Sequence, residues 1–490
     1  MILPFLIFWP LLASLIIFAL PPKSAKVLAL LASVIELMVS LYVVCTFEPT
    51  AATQFAIDIP WITSLGINFA AGIDGISLLL VLLTTVLVPF IILSSFSGTS
   101  EKPSAFYGLI LMMQMALVGV FVALDGFLFY LFWEMALIPI YFICLIWGGE
   151  DRVRITLKFF IYTLAGSLFM LVALLYLYYQ TPDMHSFGIQ ALYAAGRALP
   201  ATQQCFIFWG MFIAFAIKMP VFPFHTWQPD TYTAAPTEGT MLLSAIMLKM
   251  GLYGVIRWLL PLVPTGVHEW GMTAVVLSVI GIVYASCIAI VQKDYKRLIA
   301  YSSIAHVGLI SAGIFTLSKI GIQGALIQML SHGIVVFGLF YIIGIIEERT
   351  KTRQLSELGG IRIVAPAFAT VFIVVMLGTL ALPFTSGFVG EFLLINSLFQ
   401  YHALLGAIGG LTIILGAVYM LRSFKQAMLG ETNVNTARFT DLSGKEKLVL
   451  FPVVVIIILI GVHPGPLLHI SESAVDNLVV LISDYSASIK

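Results

Sequence analysis

Six ionisable side chains stand inside stretches of sequence that are otherwise apolar: Glu134, Lys218, Lys249, His306, His332 and Glu391. Carboxylates, amines and imidazoles are the groups that take up and release protons. Each lies on a different apolar stretch, so the arrangement open to them is a row across several elements. The chemistry of such a row is proton transfer from group to group. Histidine cycles between neutral and charged forms near neutral pH, and burial and a neighbouring opposite charge act on an amine in opposite senses. A charge at the centre of a bilayer costs at least about 2.5–3.5 kcal/mol on insertion scales, so six such positions call for interior partners. Plainer readings exist for each. Glu134 and Lys218 would also serve as a structural ion pair, although a buried pair stabilises poorly compared with apolar packing. His306 and His332 would also serve as packing histidines, and Glu391 could snorkel to an interface. A seventh group, Glu36, fits a packing or lipid-edge role.

The elements that must hold these groups are legible in the composition. Of 490 residues, 60% are apolar and 10% are charged, against about 25% charged in an ordinary globular domain. A water-soluble fold of this size cannot hide that much apolar surface. A soluble enzyme, a nucleic-acid binder and a disordered chain are therefore excluded, and the balance of 24 basic and 24 acidic residues offers no attraction to a polyanion. Fourteen apolar runs are long enough to cross a hydrocarbon layer of about 30 Å, from 2–20 and 26–46 to 403–421 and 448–466. They are continuous rather than alternating, so the fold class is an all-α polytopic membrane protein rather than a barrel. No basic residue precedes the first run, which argues against a cleaved signal peptide. The segment after 466 is too polar to span, and Leu467, Leu468, Leu478, Val479, Val480 and Leu481 suit a short interfacial helix. Cys45, Cys144, Cys205 and Cys287 are isolated, so they read as small buried side chains rather than cluster or zinc ligands.

Placing the N-terminus outside puts eighteen of the 24 lysines and arginines in inner loops. Arg197, Arg257, Lys319 and Lys490 fall outside, and Lys218 and Lys249 lie within runs. That bias follows the positive-inside rule and places both termini on the outer side. The seventh run, 204–224, carries Pro220 and Pro223, and the twelfth, 367–395, carries Pro383 before Ser386 and Gly387. Proline frees a backbone carbonyl, which is tolerated in lipid only where protein or water satisfies it. The two breaks lie five runs apart, which suggests two inverted five-helix repeats and points to a transport path. The divisions are 1–96 for the first three helices, 97–260 for the first repeat, 261–425 for the second, and 426–490 for the last helix and tail. The charges sit at unequal offsets: Lys218 two residues before its proline, Glu391 eight after Pro383.

The energetics of such a row suit a proton pump. Moving one charge against roughly 150–200 mV costs about 3.5–4.6 kcal/mol. Closing a Glu134–Lys218 pair would hold Lys218 protonated, and opening it would leave a desolvated ammonium. That ammonium would release its proton towards Lys249, then His306 and His332, and Glu391 would end the chain in contact with water.

The stretches FWEMALIPIYF (132–142), AFAIKMPVFPFHTWQPD (214–230), EGTMLLSAIMLKMGLYG (238–254), QKDYKRLIAYSSIAHVG (292–308), MLSHGIVVFGLFY (329–341) and LPFTSGFVGEF (382–392) resemble the antiporter-like subunits of respiratory complex I. The resemblance runs along essentially the whole chain. It implies a proton channel made of Glu134, Lys218, Lys249, His306, His332 and Glu391. Within that family the missing lateral helix, and Glu391 where L- and N-type chains are expected to carry lysine, are similar to the M-type branch. The resemblance further implies that this chain binds no cofactor. NADH, FMN, iron–sulfur clusters and a quinone would belong to the whole complex, and L-type and N-type chains would be membrane partners, in a bacterial inner membrane. Glu36 has no counterpart in the family motifs. Two other readings are a subunit of an Mrp-type cation/proton antiporter, which shares the motifs, and a haem carrier ligated by His306 and His332.

Overall fold

Inside hydrocarbon a backbone must satisfy its own hydrogen bonds, so apolar runs of this length become helices. The computed structural model describes residues 2–97, 101–182 and 185–488; Lys490, assigned above to the outer side, lies outside them. The spans are α1 (Ile2–Ala19), α2 (Pro22–Thr46), α3 (Gly75–Ser94), α4 (Pro103–Val122), α5 (Gly126–Trp147) and α6 (Arg152–Gln180). After a short helix at Ile189–Ala198 comes the broken α7, made of Ala201–Lys218 and Gln228–Ala234. Then follow α8 (Thr237–Leu262), α9 (Pro264–Val291), α10 (Tyr295–Ile314) and α11 (Lys319–Thr350). The broken α12 consists of Pro366–Thr379 and Ser386–Tyr401, and α13 (Ala403–Met428), α14 (Gly444–Val462) and α15 (Gly465–Ser488) complete the chain. Among the described residues twelve helices are long and apolar enough to span, or thirteen if α14 and the start of α15, bent by 64°, count as one. The expected fourteenth is the twelfth run, which the structure divides into two shorter helices.

Polar caps set where the spans begin. Asp74 accepts from the backbone N–H groups of Ile76 and Ser77 at the start of α3. Asp125 does the same for Phe127 and Leu128 at α5, Asp294 for Arg297 at α10, and Ser318 for Gly321 at α11. Each cap satisfies donors that a helix start leaves open. In the bundle, α8 is wholly buried and α4, α10 and α11 nearly so, whereas α1, α2, α6 and α13 turn broad apolar faces outward. The helices carrying Lys249, His306 and His332 are thus the innermost ones.

Two elements depart from the sequence reading. The connection after α2 folds as an antiparallel hairpin, β1 (Gln54–Ile62) and β2 (Ile67–Ile73), with Asp58 opposite Ala70 and Ile59 opposite Phe69. Each strand is far shorter than a membrane-crossing run, which is why a search for such runs passes over it. The tail forms not a short helix but the 24-residue α15. It lies against α3, α9 and α11, held where Lys319 Nζ reaches Glu472 and Asp476, both at 2.9 Å. Gly75 permits the approach, since a Cβ there would meet the backbone of Ile470 and Ser471. Of the cysteines only Cys144 is buried; Cys45 and Cys287 are exposed.

A buried ion pair closes one end of the core. Arg257 of α8 pairs with Asp74, its Nε also donates to the Tyr253 hydroxyl at 3.3 Å, and that hydroxyl donates to the Phe121 carbonyl at 2.8 Å. Burial pushes the Asp74 carboxyl up, but the Arg257 charge and the bonds from Ser77 hold it below its ordinary value. Asp74→Ala would strand a half-buried guanidinium, a loss of up to roughly 3 kcal/mol. The expected outcome is a clear fall in the unfolding temperature in detergent, largely recovered by adding Arg257→Met; an unchanged temperature would contradict the pairing. Asp125 behaves differently: burial raises it to about 6 from 3.8, only partly offset by its backbone bonds. The folded chain therefore holds this proton more tightly than the unfolded one. The resulting stability is full below about pH 3.8 and is lost as pH rises through about 6. Asp125→Asn keeps a capping oxygen and removes the titration, so its unfolding temperature should change less than the parent's across that window.

Candidate functional site

The site is built around an irregularity in α8. Two π-helical turns, Leu243–Met247 and Val255–Leu259, flank Lys249. Such turns interrupt the regular ladder and gather at functional sites. Lys249 has no exposed surface. Its Nζ donates to the Ser244 carbonyl at 2.9 Å and lies 2.9 Å from His332 Nδ1 on α11. The His332 ring faces the His306 ring of α10, centroids 5.9 Å apart and tilted by 49°. His306 Nδ1 is in turn 2.8 Å from Glu391 Oε1, close but not aligned along an N–H direction. Gln328 Nε2 of α11 donates to the same Glu391 oxygen at 3.2 Å. Four of the six anticipated residues therefore form one contiguous row, in the order Lys249, His332, His306, Glu391, with each member buried.

The breaks and small residues make this row possible. Glu391 sits in the second turn of Ser386–Tyr401, just after the interruption of α12. Next to it, Gly390 lets that helix come against α11, because a Cβ there would collide with Gln328. Ser331 Oγ donates to Ser386 Oγ at 2.7 Å and ties the start of the second half-helix to α11. Between the histidines lies a cavity of about 10 Å³, lined also by Gln328, Ser331 and Thr379. That is room for about one water and far too little for a porphyrin, so the haem reading fails on space.

The other two residues stand apart. Lys218 is the last residue of the first half of α7 and is buried. Its Nζ lies 5.3 Å from the centre of the Trp133 ring. Glu134, half-buried, acts on it electrostatically, but among the described residues no ion pair within 4.0 Å joins them. Glu134 Oε1 has no hydrogen-bond partner. The expected pair is thus open. Lys218 is still close to the row's helix: a Cβ at Gly251 would strike the Phe215 carbonyl and Met219, so α8 touches the chain beside Lys218. The carbonyl of Ile217, next to the break, accepts from Trp227 Nε1 at 2.8 Å.

Glu36 is fully buried rather than at the lipid edge. Gln328 and Ser331 escaped the sequence reading, which weighed only ionisable groups for the row, and Ser386 entered it only as part of the break; an amide in an apolar run was the available signal for Gln328. At the basic face a cavity of about 760 Å³ is lined by Asp230, Glu238, Lys296, Arg297, Glu347 and Glu348, among others. It sits where α7 ends and α8 begins.

A polytopic helical bundle with two interrupted helices and a buried row of titratable groups defines an integral membrane protein of the multi-pass helical class. Residues 123–416 match the family model described as "NADH:quinone oxidoreductase/Mrp antiporter, TM". The chain belongs to that family. It is 40% identical to NADH-quinone oxidoreductase subunit M of Rickettsia typhi over 485 residues, covering 97% of this chain and 98% of that one. It is similar to a chain of respiratory complex I from Thermus thermophilus, solved with bound NADH, with a TM-score of 0.89 at 30% identity, covering 98% of this chain and 100% of that one. A chain of the Mrp complex from Dietzia sp. DQ12-45-1b shares the fold, with a TM-score of 0.87 at 19% identity over 100% of this chain and 99% of that one.

If the Lys249–His332 contact serves chemistry rather than stability, removing both partners should cost the fold nothing. Replacing two buried hydrogen-bonding groups by apolar ones is close to neutral or stabilising. Lys249→Met combined with His332→Leu should therefore unfold in detergent at a temperature no lower than the parent's. A marked drop would identify the contact as a structural strut.

Proposed function

We propose that this chain is the M-type proton-translocating subunit in the membrane arm of an NADH:quinone oxidoreductase. The observation that carries the reading is the contiguous buried row from Lys249 to Glu391. Its companions are the open Glu134–Lys218 pair and the 40% identity to subunits M. In this reading the redox groups, NADH, FMN, iron–sulfur clusters and quinone, belong to partner subunits. Those partners deliver energy as a displacement of charge, and L-type and N-type chains flank this one in a bacterial inner membrane. The basic face is the cytoplasmic one, and both termini lie outside. The two five-helix units, 97–260 and 261–425, are inverted copies that contribute one broken helix each.

The residues then have distinct tasks. Lys218 is the switch: a carboxylate drawn against it favours the ammonium, and withdrawal favours release. A change worth about 3.5–4.6 kcal/mol is required to work against roughly 150–200 mV, which lies within what making and breaking one desolvated ion pair supplies. Lys249 accepts the proton, with the Ser244 carbonyl and His332 as its ground-state partners. His332 and His306 pass it on, with the small cavity between them suited to one bridging water. Glu391, held by Gln328, is the terminal acid. The acidic vestibule at the basic face provides water access beside α7 and α8.

An Mrp-type antiporter subunit is the second reading, favoured by the shared fold alone; the hydrophilic subunits that copurify would separate the two. The test of the first is proton pumping by the assembled enzyme in membrane vesicles, measured against NADH oxidation. Glu134→Ala and Lys218→Ala should each abolish or strongly reduce pumping. Normal pumping by an assembled Glu134→Ala complex would sink the pair mechanism.

A further inference from the structure

Glu36 has no place in the row described above, yet it is buried on α2 and neither of its carboxyl oxygens has a hydrogen-bond partner. An unpartnered buried carboxyl is costly, and buried polar atoms are nearly always satisfied. On α4, Gln114 is in the same condition: fully buried, with both Oε1 and Nε2 unpartnered. The two helices pack directly against each other.

Hydrogen bonds between helices set the relative heights. Trp9 Nε1 of α1 donates to the Ala32 carbonyl, and Ser14 Oγ to the Gly108 carbonyl. Because α1 runs antiparallel to both α2 and α4, equal steps place Glu36 opposite Leu117. A second route passes through α3 and its cap, where Ser40 bonds Thr85 and Ser95, the residue after α3, bonds Tyr107. It places Glu36 opposite Pro89 and Gln114 opposite Val88. By either route Glu36 and Gln114 lie within one helical turn, about 5.4 Å, in height. A third bond, from the Tyr253 hydroxyl to the Phe121 carbonyl, puts Lys249 opposite Leu117 as well, since α8 runs parallel to α4. Tyr107, Gln114 and Phe121 are seven apart and share one face of α4; on that face Tyr107 meets Ser95, just past α3, and Phe121 meets Tyr253 of α8.

The donors and acceptors are complementary. A lysine ammonium has three N–H donors, and the Ser244 carbonyl and His332 engage two of them. Gln114 carries one open acceptor and one open donor group, as a link between an ammonium and a carboxylate requires. The geometry points to Glu36 as a protonatable side station of the relay, with Gln114, unbonded in this structure, as the positioning residue that would bridge it to Lys249. This rests on the relay proposed above. The step is Lys249–NH3+ with Glu36–COO− becoming Lys249–NH2 with Glu36–COOH. One proton moves, no electrons move, and total charge is unchanged. Two neutral groups are cheaper to keep apart in an apolar interior than two charges, so Glu36 stores a proton while Lys249 is reset.

The test uses the assembled complex in vesicles, with protons moved per electron as the readout and native-gel assembly checked for each variant. Glu36→Gln preserves size and polarity but cannot titrate, and should lower the ratio. Gln114→Leu should lower it too, and Glu36→Asp, which keeps the acid, should recover part of it. Should Glu36→Gln pump at the parental ratio while Lys249→Met does not, the side station is wrong and the relay stands. Parental pumping by Lys249→Met as well would remove both. A loss in Glu36→Asp equal to that in Glu36→Gln would mark a packing role and overturn the inference.

Discussion

The cost of placing charge in a dry, apolar interior governs this molecule. Lys249, Lys218 and Glu391 are buried at or near zero exposure, where an isolated charge is intolerable and a paired one merely affordable. Each is therefore kept beside groups that offset its charge. Lys249 has a carbonyl and an imidazole, Glu391 an imidazole and an amide, and Lys218 an aromatic face with a carboxylate at a distance. The same cost makes the row responsive. In a low-dielectric setting a small displacement of one charged partner changes the energy of the next by kilocalories.

Departures from ideal helix geometry serve that row. A regular α-helix commits one lone pair of each interior carbonyl to the N–H four residues on, and crowds the side chains that would reach the other. Ser244, whose carbonyl receives Lys249 Nζ, lies in the π turn before Lys249; the break in α7 falls directly after Lys218, and the one in α12 falls one turn before Glu391. These interruptions are tolerated because protein surrounds them: the Ile217 carbonyl beside the first break receives Trp227 Nε1, and Gly390 lets the second half of α12 close onto α11. The irregular backbone is thus confined to the protein interior, as a hydrocarbon surround demands.

Charge pairs tie the ends of the bundle. The Asp74–Arg257 pair, bonded through Tyr253 to Phe121, locks the ends of α3, α4 and α8 together. Bidentate Arg349–Glu446 contacts at 2.7 Å tie α11 to α14 near the opposite face. Helix α15 covers the start of α3 and the Lys319 end of α11. Charge pairs thus stand near the ends of the bundle, and the row with unpartnered polar atoms lies between them.

The sequence by itself determined the membrane class, the position of nearly every helix, the two proline breaks and the helix on which each of the six titratable groups stands. Each of these follows from local composition: run length against bilayer thickness, and the chemistry of proline. It was silent on the β-hairpin, whose strands are too short to register as spans, and it understated α15. Only the tertiary structure decided that Lys249 meets His332, 83 residues away, that His332 rather than His306 comes next in the row, and that Glu134 and Lys218 stand open. It also decided that Gln328 and Gln114, ordinary amides in apolar runs, lie level with the titratable groups. Placement on a membrane helix is a property of one helix, readable from its own residues. Contact is a property of two, and depends on the rotation and approach that the packing of the whole bundle imposes.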